Sequence, residues 1–88
     1  MVYIVQYIKS RRIENPALVR AIRNFEGYAI LDDGSFLLST KWSASTIRER
    51  LKPYLREGDQ LFVCRLEKSA AWTGFNEKFS QWVKNAFE

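Results

Sequence analysis

The chain has 88 residues, 14 Lys+Arg against 10 Asp+Glu, a formal charge of +4, one cysteine and no histidine. Such a length makes one domain, which buries roughly 60–65% of the surface its unfolded chain exposes, and so has a thin core. The missing histidine excludes His-based acid–base chemistry and the Ser-His and Cys-His nucleophile pairs, and one cysteine can close neither an intrachain disulfide nor a structural zinc site.

In chain order, the first element is Val2 to Ile8, VYIVQYI, almost wholly β-branched or aromatic. That is the composition of a strand covered on both faces. Tyr3, Val5 and Tyr7 share one face by alternation; Val2, Ile4, Gln6 and Ile8 share the other. Lys9-Ser10-Arg11-Arg12 follows as a basic loop. Asn15-Pro16 then opens a helix, Asn as N-cap and Pro at N1, where its missing amide hydrogen is not needed. Leu18, Ile22 and Phe25 are its expected buried stripe with Val19 beside them, Arg20, Arg23 and Asn24 point away, and Gly27 is the expected stop.

A second strand is expected over Tyr28 to Leu31. Asp32-Asp33-Gly34 is a hairpin signal, Asp-Gly being a preferred pair for a tight primed turn. Phe36 to Ser39 then pairs back. Ser43 is a good N-cap for a second helix whose apolar stripe is Ile47, Leu51, Tyr54 and Leu55. Pro53 lies within that stripe and should kink or loosen its last turn. Glu57-Gly58-Asp59 ends the segment, with Gly58 free to take positive φ, and Gln60 to Leu66 is a further strand carrying Cys64, expected as a buried thiol. In the tail, Phe75, Phe79, Trp82, Val83 and Ala86 recur at helical spacing, so an amphipathic helix is expected over Asn76 to Asn85, with Trp72-Thr73-Gly74 as its lead-in turn.

The order βαββαβ predicts an α+β, ferredoxin-like domain over residues 1–70: a four-stranded antiparallel sheet with both helices on one face. Residues 71–88 add the amphipathic helix. The second sheet face is left apolar, carrying Ile4, Ile8 and one of two alternating sets from the last strand (Leu61 and Val63, or Phe62, Cys64 and Leu66). Such a face needs a cover, either the tail helix of the same chain or a second subunit.

Chemistry is sparse. The four glycines are scattered, with no phosphate-binding loop among them. Asp32-Asp33 reads as turn formers rather than magnesium ligands, and Asp59 as the acceptor of a turn hydrogen bond. No cofactor or metal is expected. The basic residues allow two readings: helix surfaces partly paired with Glu49 and Glu57, or phosphate contacts by Lys9, Arg11, Arg12, Arg20, Arg23, Arg48 and Lys52. Arg50 and Arg56 belong to the same spread. The aromatic-and-basic strand of RNA-recognition sheets is absent. No apolar run approaches a membrane span and no basic leader precedes the first apolar residues, so the chain reads as cytoplasmic.

The runs FLLSTKWSASTIRERL and GDQLFV, with the opening VYIVQY, resemble small SinR-like proteins, relatives of the CRISPR-associated "Cas-two" proteins and more distantly of VapD-type toxins. The likeness covers about residues 1–67, on the landmarks Thr40, Ser43-Ala44 and Asp59. It implies a ferredoxin-like protomer that dimerises through its sheet face, with Ile4, Gln6 and Ile8, and Phe79, Trp82 and Val83 of the tail, as the expected interface. In that family an Asp directly after the Tyr ending the first strand can hold the metal for nuclease activity. Here the Tyr is Tyr7 and the next residue is Ile8, so the resemblance carries the fold and not the nuclease. The expectation is a non-catalytic homodimer that binds nucleic-acid phosphates or acts as a protein scaffold. The alternative is a divalent-metal nuclease or toxin component using Asp32 or Asp59.

Overall fold

The computed structural model describes residues 1–67 and 69–87. The strands β1 (Val2–Ile8), β2 (Gly27–Asp32), β3 (Ser35–Ser39) and β4 (Gln60–Leu66) form one antiparallel sheet in the order β2-β3-β1-β4. The helices are α1 (Pro16–Arg23), α2 (Ala44–Leu51) and α3 (Glu77–Phe87). The strand whose composition suits cover on both faces, β1, is an inner one, paired along its length with β4 and over Val2 to Gln6 with β3.

One face of the sheet carries the core. Tyr3, Val5 and Tyr7 of β1 and Phe36 and Leu38 of β3 meet Leu18 and Ile22 of α1 and Ile47 and Leu51 of α2 in a single cluster, with Leu61 and Val63 packed at its edge. Period-two alternation in the strands and the i, i+4 spacing in each helix bring those side chains to one layer. Both caps are where the sequence puts them. The Asn15 Oδ1 accepts from the Leu18 amide at 3.2 Å, and the Ser43 hydroxyl from the Thr46 amide at 3.2 Å.

Pro53 shortens the second helix more than the apolar stripe implies. The α-helix ends at Leu51 and a single 3-10 turn, Lys52–Tyr54, replaces its continuation. Tyr54 is consequently turned outward and exposed rather than buried with the stripe. Gly58 does take positive φ, at +85°.

Two glycines act differently from expectation. Helix α1 ends at Arg23, closed by bonds from the Asn24 and Phe25 amides to the carbonyls of Ala21 and Ile22. Gly27 is thus no helix stop. It lies in β2 opposite Ser39, where an added Cβ would come within 3.0 Å of the Ser39 Cβ. At the hairpin neither Asp33 nor Gly34 has positive φ, so the turn is not a primed one, and β2 takes up the difference through an irregularity between Ile30 and Asp32. Gly34 is there because its backbone crosses β1: the Tyr7 amide donates to the Gly34 carbonyl at 2.7 Å, and a Cβ on Gly34 would collide with the Tyr7 carbonyl oxygen. Gly34→Ala is therefore expected to cost roughly 1–3 kcal/mol through forced displacement of the hairpin. Urea unfolding measures it, and an unchanged midpoint would contradict this packing.

The second face is half covered by the chain itself. Phe75, Phe79, Val83 and Phe87, with Trp72, close over Leu31, Leu37 and Leu66. Gly74, with φ of +86°, turns the chain into α3, and the Asn76 Oδ1 caps it by accepting from the Phe79 amide at 2.9 Å. The Trp72 indole N–H donates to the Ser80 hydroxyl at 2.8 Å, and Phe75 stacks on Phe79 at 4.1 Å. The tail helix thus seats against its own sheet on the β2–β3 side.

The β1–β4 side stays open. The set of β4 on this face is Phe62, Cys64 and Leu66, since Phe62 lies opposite Gln6 and Cys64 opposite Ile4. Phe62 is 60% exposed and Ile8 51%. Cys64 is exposed too, which corrects the expectation of a buried thiol; the alternation that buries Leu61 and Val63 turns it outward.

Candidate functional site

At the C-terminal end of β1 a network fixes the loop that carries the basic cluster. The Tyr7 side chain comes from the core face, and its hydroxyl, like any buried phenol, needs a partner. It donates to the Asp59 Oδ2 at 2.6 Å. The same oxygen accepts from the Arg56 amide at 2.9 Å, while Oδ1 accepts from the Ser10 amide at 2.9 Å and the Ser10 hydroxyl at 3.1 Å. The Asp59 side chain is completely shielded from solvent. The Tyr7 hydroxyl foremost, then the Ser10 amide, hold its carboxyl far below the usual carboxylate range.

Arg56 closes the arrangement from the other side. Its guanidinium donates to the carbonyls of Ile13 at 2.7 Å and Glu14 at 3.0 Å and to the Tyr7 hydroxyl at 3.2 Å, and lies 3.5 Å from the Asp59 carboxylate. The Asn15 amide adds two more bonds, to the Tyr7 hydroxyl and to the Tyr54 carbonyl. The segment from Ser10 to Asn15 is thereby pinned at both ends, with Arg11 and Arg12 left projecting between the pins. Arg56, expected among the surface cations, is instead a structural clasp.

The other candidate cations divide. Lys9 pairs with Asp33 at 2.7 Å and Glu14 at 3.7 Å, and the hydrogen bond to Asp33 raises its pKa, so its charge is fixed but matched. Arg48 lies 3.0 Å from the Glu49 carboxylate. Arg20, Arg23 and Lys52 are exposed on the outer side of the helices, and Arg11 and Arg12 border an open cleft shared with Ile8, Asp32, Asp33 and Gly34. The loop cations and the α1 cations are not one patch, since α1 covers the opposite sheet face from Ile8 and Phe62; Arg48 of α2 lies at the β4 edge, where it shares a pocket with Phe62.

Of the expected interface residues, Ile4 and Gln6 are half-buried and Ile8 is exposed on the open side of the face. Gln6 accepts from the Ser35 hydroxyl at 2.9 Å. Phe79 and Val83 belong to the seam that α3 makes with its own sheet, with Val83 fully buried there, and Trp82 is half-buried at its margin.

The three aspartates are engaged with the protein. Asp33 holds Lys9, and Asp32 accepts from the Gly34 amide at 3.1 Å, a bond that lowers its pKa. Among the described residues no three Cys, Asp or Glu side chains converge as a metal-binding group. Nor is any helix among them long and apolar enough to cross a membrane. Sequence reasoning missed the Tyr7–Asp59–Arg56 network. Its visible signals were Asp59, expected to accept a turn hydrogen bond and found to accept one from the Arg56 amide, and a tyrosine on one alternating face of the first strand. Comparison with protein-family models, curated proteins and solved structures gives no match to this chain.

Proposed function

We propose that this chain is the protomer of a two-fold homodimer that binds nucleic-acid phosphates without catalysis, on a ferredoxin-like fold of the SinR-like and "Cas-two" lineage. The antiparallel order β2-β3-β1-β4, with α1 and α2 packed on one face, supports the fold reading. The observation that carries the functional one is the open β1–β4 half of the second face, which bears Ile4, Ile8, Phe62 and Cys64 and whose Ile8 end borders the cleft of the pinned Arg11–Arg12 loop. An apolar surface next to a fixed basic loop suits an isologous contact that doubles the loop. An exposed, unpaired Cys64 is at home in a reducing compartment, in keeping with a cytoplasmic protein.

The absence of catalysis in this reading rests on two arrangements. Ile8 stands where the resembling family can carry its metal-binding Asp. Asp59, the other candidate, already accepts four hydrogen bonds with no solvent access, so neither oxygen is free for magnesium. Chelator-sensitive cleavage of RNA or duplex DNA that is lost in Asp32→Ala would overturn it in favour of the nuclease.

The binding test uses salt. Neutralising about four to six phosphates per dimer gives a slope of log affinity on log salt near −4 to −5. The Arg11→Ala/Arg12→Ala pair is expected to weaken binding to all sequences alike and to flatten that slope, with little change in stability, because both side chains are solvated. Duplex binding at two salt concentrations measures it. An unchanged slope assigns the charge to solubility and leaves the protein-scaffold version.

A further inference from the structure

Between the C-terminal ends of α1 and α2 lies an open pocket of about 160 Å³, lined by Ala21, Asn24, Phe25, Trp42, Arg50, Leu51 and Tyr54. It is on the opposite side of the sheet from the open β1–β4 face, so dimerisation there leaves it accessible. Its volume is well below the ~300–1,000 Å³ of pockets that enclose a whole drug-sized ligand. One flat ring is the size of occupant it suits.

The lining has an unusual chemistry for a surface depression. Trp42 meets Phe25 edge-on, with centroids 5.5 Å apart and planes at 70°. The Arg50 guanidinium carbon sits 3.7 Å from the centroid of the Trp42 ring, a stacking distance. Arg50 is exposed and has no ion pair among the described residues, so its outer face is presented to solvent with the indole behind it. Tyr54 is the third aromatic, turned outward by the 3-10 turn that Pro53 imposes. Asn24 offers a donor and an acceptor in one exposed amide, and no carboxylate lines the pocket. Arg20 and Arg23 flank it on α1, and Lys52 follows Leu51 on the other wall.

We propose that this pocket holds one unpaired nucleobase of a single-stranded nucleic acid. The base stacks on the outer face of Arg50, which Trp42 keeps flat, and its polar edge meets Asn24. The neighbouring phosphates meet Arg23 and Lys52. Guanidinium and aromatic planes are the usual platforms for splayed bases, and stacking tolerates any base because each has a π-face. A duplex hides those faces. The inference rests on nucleic acid being the partner, and it adds a second, single-strand-selective contact to the phosphate contact of the Arg11–Arg12 loop.

The test follows the Trp42 indole N–H in ¹⁵N spectra of the full chain, titrated with a short single-stranded oligonucleotide and, separately, with the matching duplex. The single strand is expected to shift the Trp42 resonance and the duplex to leave it in place. Arg50→Lys, which keeps the charge and loses the plane, is expected to weaken single-strand binding roughly five- to 100-fold, the range for one lost stacked base, with an unchanged thermal midpoint. Salt-dependent binding of the single strand with a stationary Trp42 signal, or with wild-type affinity in Arg50→Lys, overturns the pocket and leaves the phosphate reading intact. An equal Trp42 shift with duplex overturns it as well. A Trp42 shift with an apolar dipeptide but none with the oligonucleotide makes it a peptide pocket. Binding of neither single strand nor duplex removes both readings.

Discussion

Replacing Asp59 by Ala is expected to cost about 3 kcal/mol or more of folding stability, a large part of the ~5–15 kcal/mol typical of a domain. The Tyr7 hydroxyl, the Ser10 amide and the Arg56 amide would all lose an acceptor whose side chain is shielded from solvent. Arg56 would keep its bonds to the Ile13 and Glu14 carbonyls, so the loss falls first on the join between β1 and the Arg56–Asp59 turn.

The pH dependence has a definite sign. The Asp59 carboxyl titrates lower in the folded chain than in the unfolded one, chiefly because the Tyr7 hydroxyl and then the Ser10 amide bond to its ionised form. Its contribution is therefore complete above the unfolded value of about 3.9 and declines as pH falls through the range below it. Asp59→Asn lacks that carboxylate. The stability gap between wild type and Asp59→Asn is expected to be widest at neutral pH and to narrow steadily from pH 4 to pH 2. Urea unfolding at three pH values measures the gap. A constant gap would mean that the loss comes from shape alone.

Local features of the fold were legible in the sequence because their causes are local. Asn15-Pro16 and Ser43 cap their helices through atoms three residues away. Gly58 turns the chain through its own φ, and the β-branched and aromatic composition of β1 makes it a strand, though its second face is only partly covered, with Ile8 exposed. What could not be read depends on residues distant in the chain. Tyr7 and Asp59 meet across 52 positions, and Gly34 is required by the Tyr7 carbonyl rather than by its own turn. Alternation shows that Phe62, Cys64 and Leu66 share a face, but not which face, since both sets of β4 are apolar. That choice is made by the helices that bury Leu61 and Val63, and it is what exposes Cys64. The spacing that predicts α3 likewise cannot say what it covers. Its seat over Leu31, Leu37 and Leu66 narrows the open surface to the β1–β4 half, and so alters which residue should be changed to test association.

That residue is Phe62. On the proposed dimer, Phe62→Glu is expected to raise the dissociation constant at least 100-fold. Burying the 60% of Phe62 that is still exposed yields roughly 1–2 kcal/mol, and an isologous interface contains the side chain twice. The two losses amount to about 30-fold or more, and the cost of desolvating two like charges in the interface carries the effect past 100-fold. The protomer itself should be far less affected, by roughly 1 kcal/mol, since Phe62 is 60% exposed and shares only an open pocket with Ala44, Ser45 and Arg48 of α2. Val83→Glu would be a poor substitute for this experiment. Val83 is buried in the α3 seam of its own chain, and any dissociation it produced would be inseparable from detachment of the helix. Sedimentation equilibrium at micromolar concentration, with circular dichroism as the folding control, gives the answer. A wild-type chain that sediments as a 10.4 kDa species at every concentration would reject the dimer. A Phe62→Glu chain that remains dimeric would move the interface off the β1–β4 face, and the two Arg11–Arg12 loops would then have no reason to lie together.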